Sequence, residues 1–441
     1  MMKQDDTRRL ASLRPLYGDG LSRRQILKLG GGLLGLGAAS TILPRALLKP
    51  NQIVEAAPGQ AQVEPNLHFA ASDGWIYLPG SVPPYHPDNL APAGLTTYIF
   101  GFRNVTGLSH DQVFAQKMKM QLAAPTWWLP QEQDFTLKIT NLGLAIRPDL
   151  IDAHTLHFHG FRDAIPIFDG EPHSSVGVPI SRDLTYFYRP HHPGTYMYHC
   201  HFEETEHVHM GMTGVVFVRP LLDQQLAPRR FCYNDESTEF DREWTMMLNE
   251  VWSLAHWCDS HVQLPEWSDY APDLWMLNGR AYPDTIAPPG GGTDPVTGDL
   301  IPPDGRPELQ YQPISSLVRC SEGERILLRF VNLGFREQAM RMTGIPMLLI
   351  GRDAVMLKGR DGTDLTQIND TVIVGPGESA DAIFVAPAVS LAPGQDYQKF
   401  FLYNRNVNRI SNGGAQGYGG QMTEVHVYPA GTLPPQTEPN T

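Results

Sequence analysis

"QEQDFTLKITNLG", residues 131–143, runs from a polar turn through a stretch whose apolar side chains Phe135, Leu137 and Ile139 fall on alternate positions, and closes on Asn-Leu-Gly. A period of two marks a half-buried β-strand. "SEGERILLRFVNLG", residues 321–334, repeats the plan with a denser apolar run, consistent with a more buried strand. After the first Asn-Leu-Gly comes "HTLHFHG" (154–160) and after the second "QAMRMTG" (338–344), which align without a gap. Further on, "YHCH" (198–201) aligns with "YNRN" (403–406), and the halves end on "GVVFVRP" (214–220) and "TEVHVYP" (423–429). This internal repeat predicts domain 1 over about 62–221, a linker over 222–244, domain 2 over about 245–430 and a disordered tail over 431–441. Strands between turn signals, with little helical periodicity, predict two antiparallel β-sandwiches of Greek-key type.

Composition agrees with that frame. The chain has 441 residues, 41 Gly, 38 Pro and a formal charge of −13. Its length suits two or three domains with real cores. The acidic balance argues against nucleic acid or an anionic membrane surface as partner. Four cysteines are too few for a disulfide framework, although Cys232, Cys258 and Cys320 allow one bridge.

The first 57 residues read as a leader. "SRRQILK" (22–28) sets a twin arginine before a glycine-rich apolar run to Leu43, with Ala56 and Ala57 following. This resembles a twin-arginine export signal; the run is short and weakly apolar for a stable membrane span. Its removal takes nine Lys/Arg and four Asp/Glu from totals of 34 and 47, leaving 25 and 43 and a net charge of −18. The expected location is periplasmic or extracellular.

Ten of the sixteen histidines lie between His154 and His209, so they form a site. On a strand, His157 and His159 share a face, as do His199 and His201, while Cys200 points the other way. One strand therefore feeds two linked sites. A thiolate with imidazoles and a thioether suits copper, since a thioether is an unusual zinc ligand. A blue-copper set draws on Cys200, on His154, which is out of phase with the His157/His159 pair, and on the segment after Cys200. There His207 and His209 compete, as do Met212 and Met210; His207 with Met212 leaves room for a returning turn and is preferred.

His154-x-x-His157-x-His159-Gly followed by His199-Cys200-His201 closely resembles the multicopper oxidases. The longer step from Cys200 to His207 and the "MGM" at 210–212 are similar to two-domain, laccase-like members with type 1 copper in domain 1, and to copper nitrite reductases. The resemblance spans about 62–430 and implies two cupredoxin-like domains. It makes His154, Cys200, His207 and Met212 type 1 ligands, His157 a type 2 ligand, and His159, His199 and His201 type 3 ligands. It also implies a homotrimer whose cluster lies between domain 1 of one subunit and domain 2 of the next. At the domain 2 positions the alignment sets Arg341, Thr343, Asn404 and Asn406, so the four expected histidines are absent. A guanidinium stays protonated and cannot ligate. One or two coppers beyond type 1 are expected.

The function implied is an exported copper oxidoreductase. Electrons from a small-molecule or protein donor would pass through Cys200 to His199 or His201 and reduce an oxygen species, dioxygen rather than nitrite. The alternative is a type 1 electron-transfer or binding protein that has lost turnover; a third possibility is a partner chain that supplies the missing histidines. Among lesser features, His191 and His192 read as an exposed corner, His173 as only a minor candidate for lining a substrate entry, "HWCDSH" (256–261) as a weak second metal motif, and "TWWLP" (126–130) as core packing.

Overall fold

The computed structural model describes residues 64–441, so the twin-arginine segment lies outside the described residues. These residues form one compact unit built of two β-sandwiches. In the first, β1 (Leu67–Ile76), β2 (Thr97–Asn104), β3 (Ala124–Pro130), β4 (Phe135–Asn141), β5 (His157–His159), β6 (Asp183–Tyr188), β7 (Gly194–His199) and β8 (Thr213–Arg219) make two four-stranded sheets, ordered β2-β1-β4-β6 and β3-β8-β7-β5. The second sandwich pairs a seven-stranded sheet, centred on Arg242–Val251 and Arg325–Asn332, with a five-stranded sheet that includes Gln338–Met342, Gln398–Asn404 and Met422–Tyr428.

The sheets are mixed rather than purely antiparallel. β1 pairs β4 in parallel and β3 pairs β8 in parallel, and domain 2 repeats both pairings. Parallel neighbours need long crossovers, which the intervening strands supply. Along β4 the alternation is realised: Leu137 and Ile139 are fully buried in a core with Trp127, Tyr186 and Tyr198. Arg325–Asn332 is buried on both faces because its second face, through Val331, meets Met197 and Val215 of domain 1. Each Asn-Leu-Gly is a folding device. Asn141 Nδ2 donates to Val178 O at 2.8 Å while its Oδ1 accepts from Gly143 N at 2.8 Å; Asn332 does the same with Val374 O and Gly334 N, at 2.9 and 3.0 Å.

Two segments outside the sandwiches carry structure, and for the tail this differs from expectation. The linker is folded: Cys232, Tyr233 and Phe240 form a buried cluster with Leu327, Ile350 and Ile383. The tail is ordered against the first part of Arg242–Val251, ahead of its pairing with Leu274–Leu277, where Asn440 accepts from Thr245 N at 3.0 Å and donates to Thr245 O at 3.0 Å, and Gln436 accepts from Glu243 N at 2.8 Å. Side-chain amides there satisfy backbone groups that an uncovered edge would leave unpaired. All four cysteines are free and buried, so the allowed disulfide does not form.

Candidate metal centre

Sheet register brings the thiol pocket together. His157 lies opposite His199 and Phe158 opposite Tyr198, which sets Leu156 across from Cys200 and puts His154, two residues earlier, on the Cys200 face. His154 is fixed by paired backbone bonds with Val178 at 3.0 and 2.9 Å. Met212, just ahead of β8, faces Cys200 by continuing the His199–Thr213 register, with Cys200 N donating to Met212 O at 3.1 Å.

The segment after Cys200 forms a helix, α1 (Glu204–Met210), that delivers His207. It opens after Glu203 at φ +46° and stops at Gly211 at φ +119°, where a Cβ would lie 2.6 Å from Leu122 Cδ1 and 2.8 Å from Phe100 O. Only glycine combines that angle with that approach. Residues two apart on a helix face different ways, so His207 and His209 separate. His207 Nδ1 stands 3.3 Å and His154 Nδ1 3.8 Å from Cys200 Sγ, with the two rings 5.0 Å apart. His209 turns away into domain 2.

The pocket is closed to water: Cys200, His207 and Met212 are fully buried. Burial alone would push the Cys200 thiol up, yet the adjoining His207 and His154 imidazoles hold it well below the ordinary thiol range. Burial would likewise lower His207, but the Cys200 thiolate and Asp152 outweigh it and raise the ring to about 10. A buried thiolate on which two imidazole Nδ1 atoms converge is a donor set that fits a soft or borderline metal.

The histidine cluster lies on the opposite side of the same strand end. His157 packs 4.9 Å from His201 and 5.3 Å from His199, and His199 lies 5.7 Å from His159, ring centre to ring centre. A carbonyl can only accept, so His157 Nδ1–H donates to Asp169 O at 2.7 Å and His199 Nδ1–H to Cys200 O at 2.9 Å. Both therefore keep Nε2 unprotonated for a metal. Burial first, then the neighbouring imidazoles, lowers His199 to about 3 despite its bond to Cys200 O, so this ring stays neutral. Ligand atoms of His157, His159 and His199 lie within 4.8 Å of one another. His201 is placed beside them by its amide bond to Thr155 Oγ1 at 3.0 Å. An open cleft of about 270 Å³ reaches His159 and His199 between Glu204 and the domain 2 residues Phe335, Pro376 and Gly377.

Domain 2 corrects the repeat alignment by one residue. Arg341, at the His157 position, pairs with Tyr403, and Met342 with Leu402. His199 therefore corresponds to Tyr403, Cys200 to Asn404 and His201 to Arg405; the shared tyrosines of "YHCH" and "YNRN" are not equivalent. None of Arg341, Thr343, Tyr403 and Arg405 is a histidine, while Asn406 caps a turn by accepting from Asn408 N at 3.1 Å. At the thiol-pocket positions stand Gln338 for His154, Asn404 for Cys200 and Gln421 for Met212. Asn404 Nδ2 donates to Gln338 Oε1 at 2.8 Å and to Gln421 Oε1 at 2.7 Å, and Arg409 Nη1 reaches Gln338 Oε1 at 2.7 Å. The sequence hinted at this amide set only through its register, which no local pattern reveals.

The lesser features stay apart. His191 and His192 are about half exposed, paired with Glu132 and Asp163, and His173 stands in solvent beside Glu171. The "HWCDSH" side chains do not converge: His256 Nδ1–H donates to Tyr98 O at 2.7 Å and His261 Nδ1 engages Trp257 O at 2.8 Å. Trp127 is core, whereas Trp128 stacks on Phe217 nearer the surface.

The multicopper oxidase family model matches residues 114–222, the segment that holds all eight candidate ligands. Among curated proteins none matches the chain. The fold is similar to blue copper oxidase from Nitrosomonas europaea, at 19% identity and TM-score 0.52 over 82% of this chain and 85% of that one. It is also similar to the multicopper oxidase mgLAC, at 19% identity and TM-score 0.53 over 84% and 87%. The family match falls on the ligand-bearing part of domain 1, and the fold likeness extends over both domains.

Proposed function

We propose that this is an exported oxidoreductase that accepts single electrons from a small-molecule or protein donor at the thiol pocket and reduces an oxygen species, dioxygen in preference to nitrite, at the histidine cluster. The observation that carries the reading is the joint between the two pockets. Cys200 faces one and His199 the other, with His199 Nδ1–H bonded to Cys200 O at 2.9 Å. Copper, type 1 at the thiol pocket and one or two ions at the cluster, would supply reversible one-electron redox chemistry and a Lewis acid for the acceptor. The chain's residues do the rest. His154 and His207 would offer Nδ1, Cys200 its thiolate and Met212 a weakly held thioether. His157 and His199 commit their Nδ1 protons to carbonyls and present Nε2, and the buried thiol pocket keeps water out while the cleft admits an acceptor to His159 and His199.

Domain 2 supplies no histidine to the cluster, which favours a second reading: a type 1 electron carrier without turnover. Metal counting on the copper-loaded chain separates the two, since two or more coppers with turnover of a phenolic donor supports the oxidase and a single copper without turnover the carrier. A thiolate-to-copper charge-transfer band is expected, and Cys200→Ser should abolish it; a coloured serine variant refutes the reading. The proposed assembly is a homotrimer, checked by sedimentation. Export is checked by Arg23→Lys with Arg24→Lys, which should hold the precursor in the cytoplasm.

A further inference from the structure

His209 belongs to neither ligand set, yet it is buried. Its Nε2 accepts the Trp252 backbone N–H at 3.2 Å. Its ring is boxed by His256, Tyr270, Trp267 and Phe335 at centre-to-centre distances of 4.9, 5.3, 5.5 and 5.8 Å. All five residues lie in the domain 2 half of the chain. His256 in turn is tied back to domain 1 through Tyr98 O, at 2.7 Å.

The helix that carries His207 is seven residues long and has no side-chain cap at its start. Such a short helix has little stability or fixed orientation of its own and takes both from tertiary contacts. Its inward side contributes His207 to the thiol pocket, and its other side contributes His209 to the aromatic box. A rotation of the helix that loosened one would displace the other, because they are two residues apart on one rigid turn.

We infer that His209 is a positioning residue, through which domain 2, lacking a ligand set of its own, fixes the direction from which His207 Nδ1 meets Cys200 Sγ. The inference rests on the copper reading of the thiol pocket. It assigns domain 2 a role that needs no metal: it acts as the wall against which the ligand helix is braced.

The test uses the copper-loaded full chain and reads the charge-transfer spectrum, the spin-resonance hyperfine splitting and the metal count. His209→Phe keeps an aromatic ring in the box and removes the acceptor for Trp252 N–H. It should still bind copper at the thiol pocket but with shifted bands and altered hyperfine splitting. His209→Gln, whose Oε1 restores an acceptor, should move both back toward the unmutated values. Should His209→Phe fail to fold, Trp267→Leu loosens the box from domain 2 alone and should shift the spectrum in the same direction. A folded His209→Phe or Trp267→Leu chain with an unchanged spectrum overturns the inference, as does a glutamine variant no nearer to the unmutated protein than the phenylalanine one. An unmutated chain without any charge-transfer band defeats the copper reading itself, and the inference falls with it.

Discussion

Asn404 stands in domain 2 where Cys200 stands in domain 1: Cys200 N donates to Met212 O at 3.1 Å, and Asn404 N donates to Gln421 O at 2.9 Å across the equivalent hairpin. The same backbone frame thus closes around a thiolate between imidazoles in one domain and around mutually bonded amides in the other. Asn404→Leu should strand the buried Gln421 oxygen, while Gln338 keeps its bond from Arg409, and an unsatisfied acceptor costs about 1–3 kcal/mol. A lowered denaturant midpoint with the domain 1 charge-transfer band retained is the expected result. Unchanged stability would mean that the amides hold nothing in place.

Met212 shares the Cys200 face of the sheet, and an axial thioether tunes potential without holding the metal tightly. Met212→Leu should keep copper and raise its reduction potential, measured by redox titration of the band. Loss of copper, or no shift, would move the axial role to Met210.

His157, His159 and His199 converge within 4.8 Å with no histidine answering from domain 2. Replacing His157 and His159 together should remove the second-site copper and any oxidase turnover while the Cys200 band persists. A chain that holds four coppers with the near-ultraviolet band of a coupled pair would contradict this count.

Glu243 is fully buried between Arg329, at 3.0 Å, and Arg219, at the junction of the two domains. Removing one partner of a buried pair costs roughly 3–5 kcal/mol where the remaining charge is left without a counter-ion, and less here, because Arg329 keeps Asp381 at 3.8 Å and Arg219 keeps Asp223 at 3.6 Å. Glu243→Gln should lower the melting temperature by several degrees, and Arg329→Met combined with it should recover part of the loss. Calorimetry of the single and double variants decides the matter.

Burial lowers His256 to about 4, against its bond to Tyr98 O, so the folded state holds this ring neutral. Below the unfolded pKa of 6.5 the unfolded chain binds the extra proton. Stability is therefore full above pH 6.5 and declines as pH falls toward 4, by up to roughly 3 kcal/mol. His256→Gln, which keeps a donor for Tyr98 O, should flatten the melting temperature over that window. An equally steep profile in the variant would assign the acid sensitivity elsewhere.

The sequence was legible where its signals are local. Alternation in 135–141 fixed a strand, because side chains two apart must share a face. The two Asn-Leu-Gly motifs marked equivalent corners, because each asparagine bridges the same two backbone groups. Cys200 between His199 and His201 announced two linked pockets, because period two separates the thiol from the imidazoles.

Tertiary structure decided the rest. His207 and His209 are interchangeable on a strand; only the helix over 204–210, held by contacts from domain 2, turns one toward Cys200 and the other away. The shared tyrosines of "YHCH" and "YNRN" invited one alignment, but the ladder pairs Arg341 with Tyr403 and makes Asn404 the counterpart of Cys200. The tail reads as disordered for want of apolar residues, yet Asn440 and Gln436 bind the edge of a strand almost two hundred residues away in sequence. Period and composition report what a residue does to its neighbours along the chain. Helix rotation, register and edge capping depend on which distant partners satisfy a buried polar group, and that is settled only when the chain has folded.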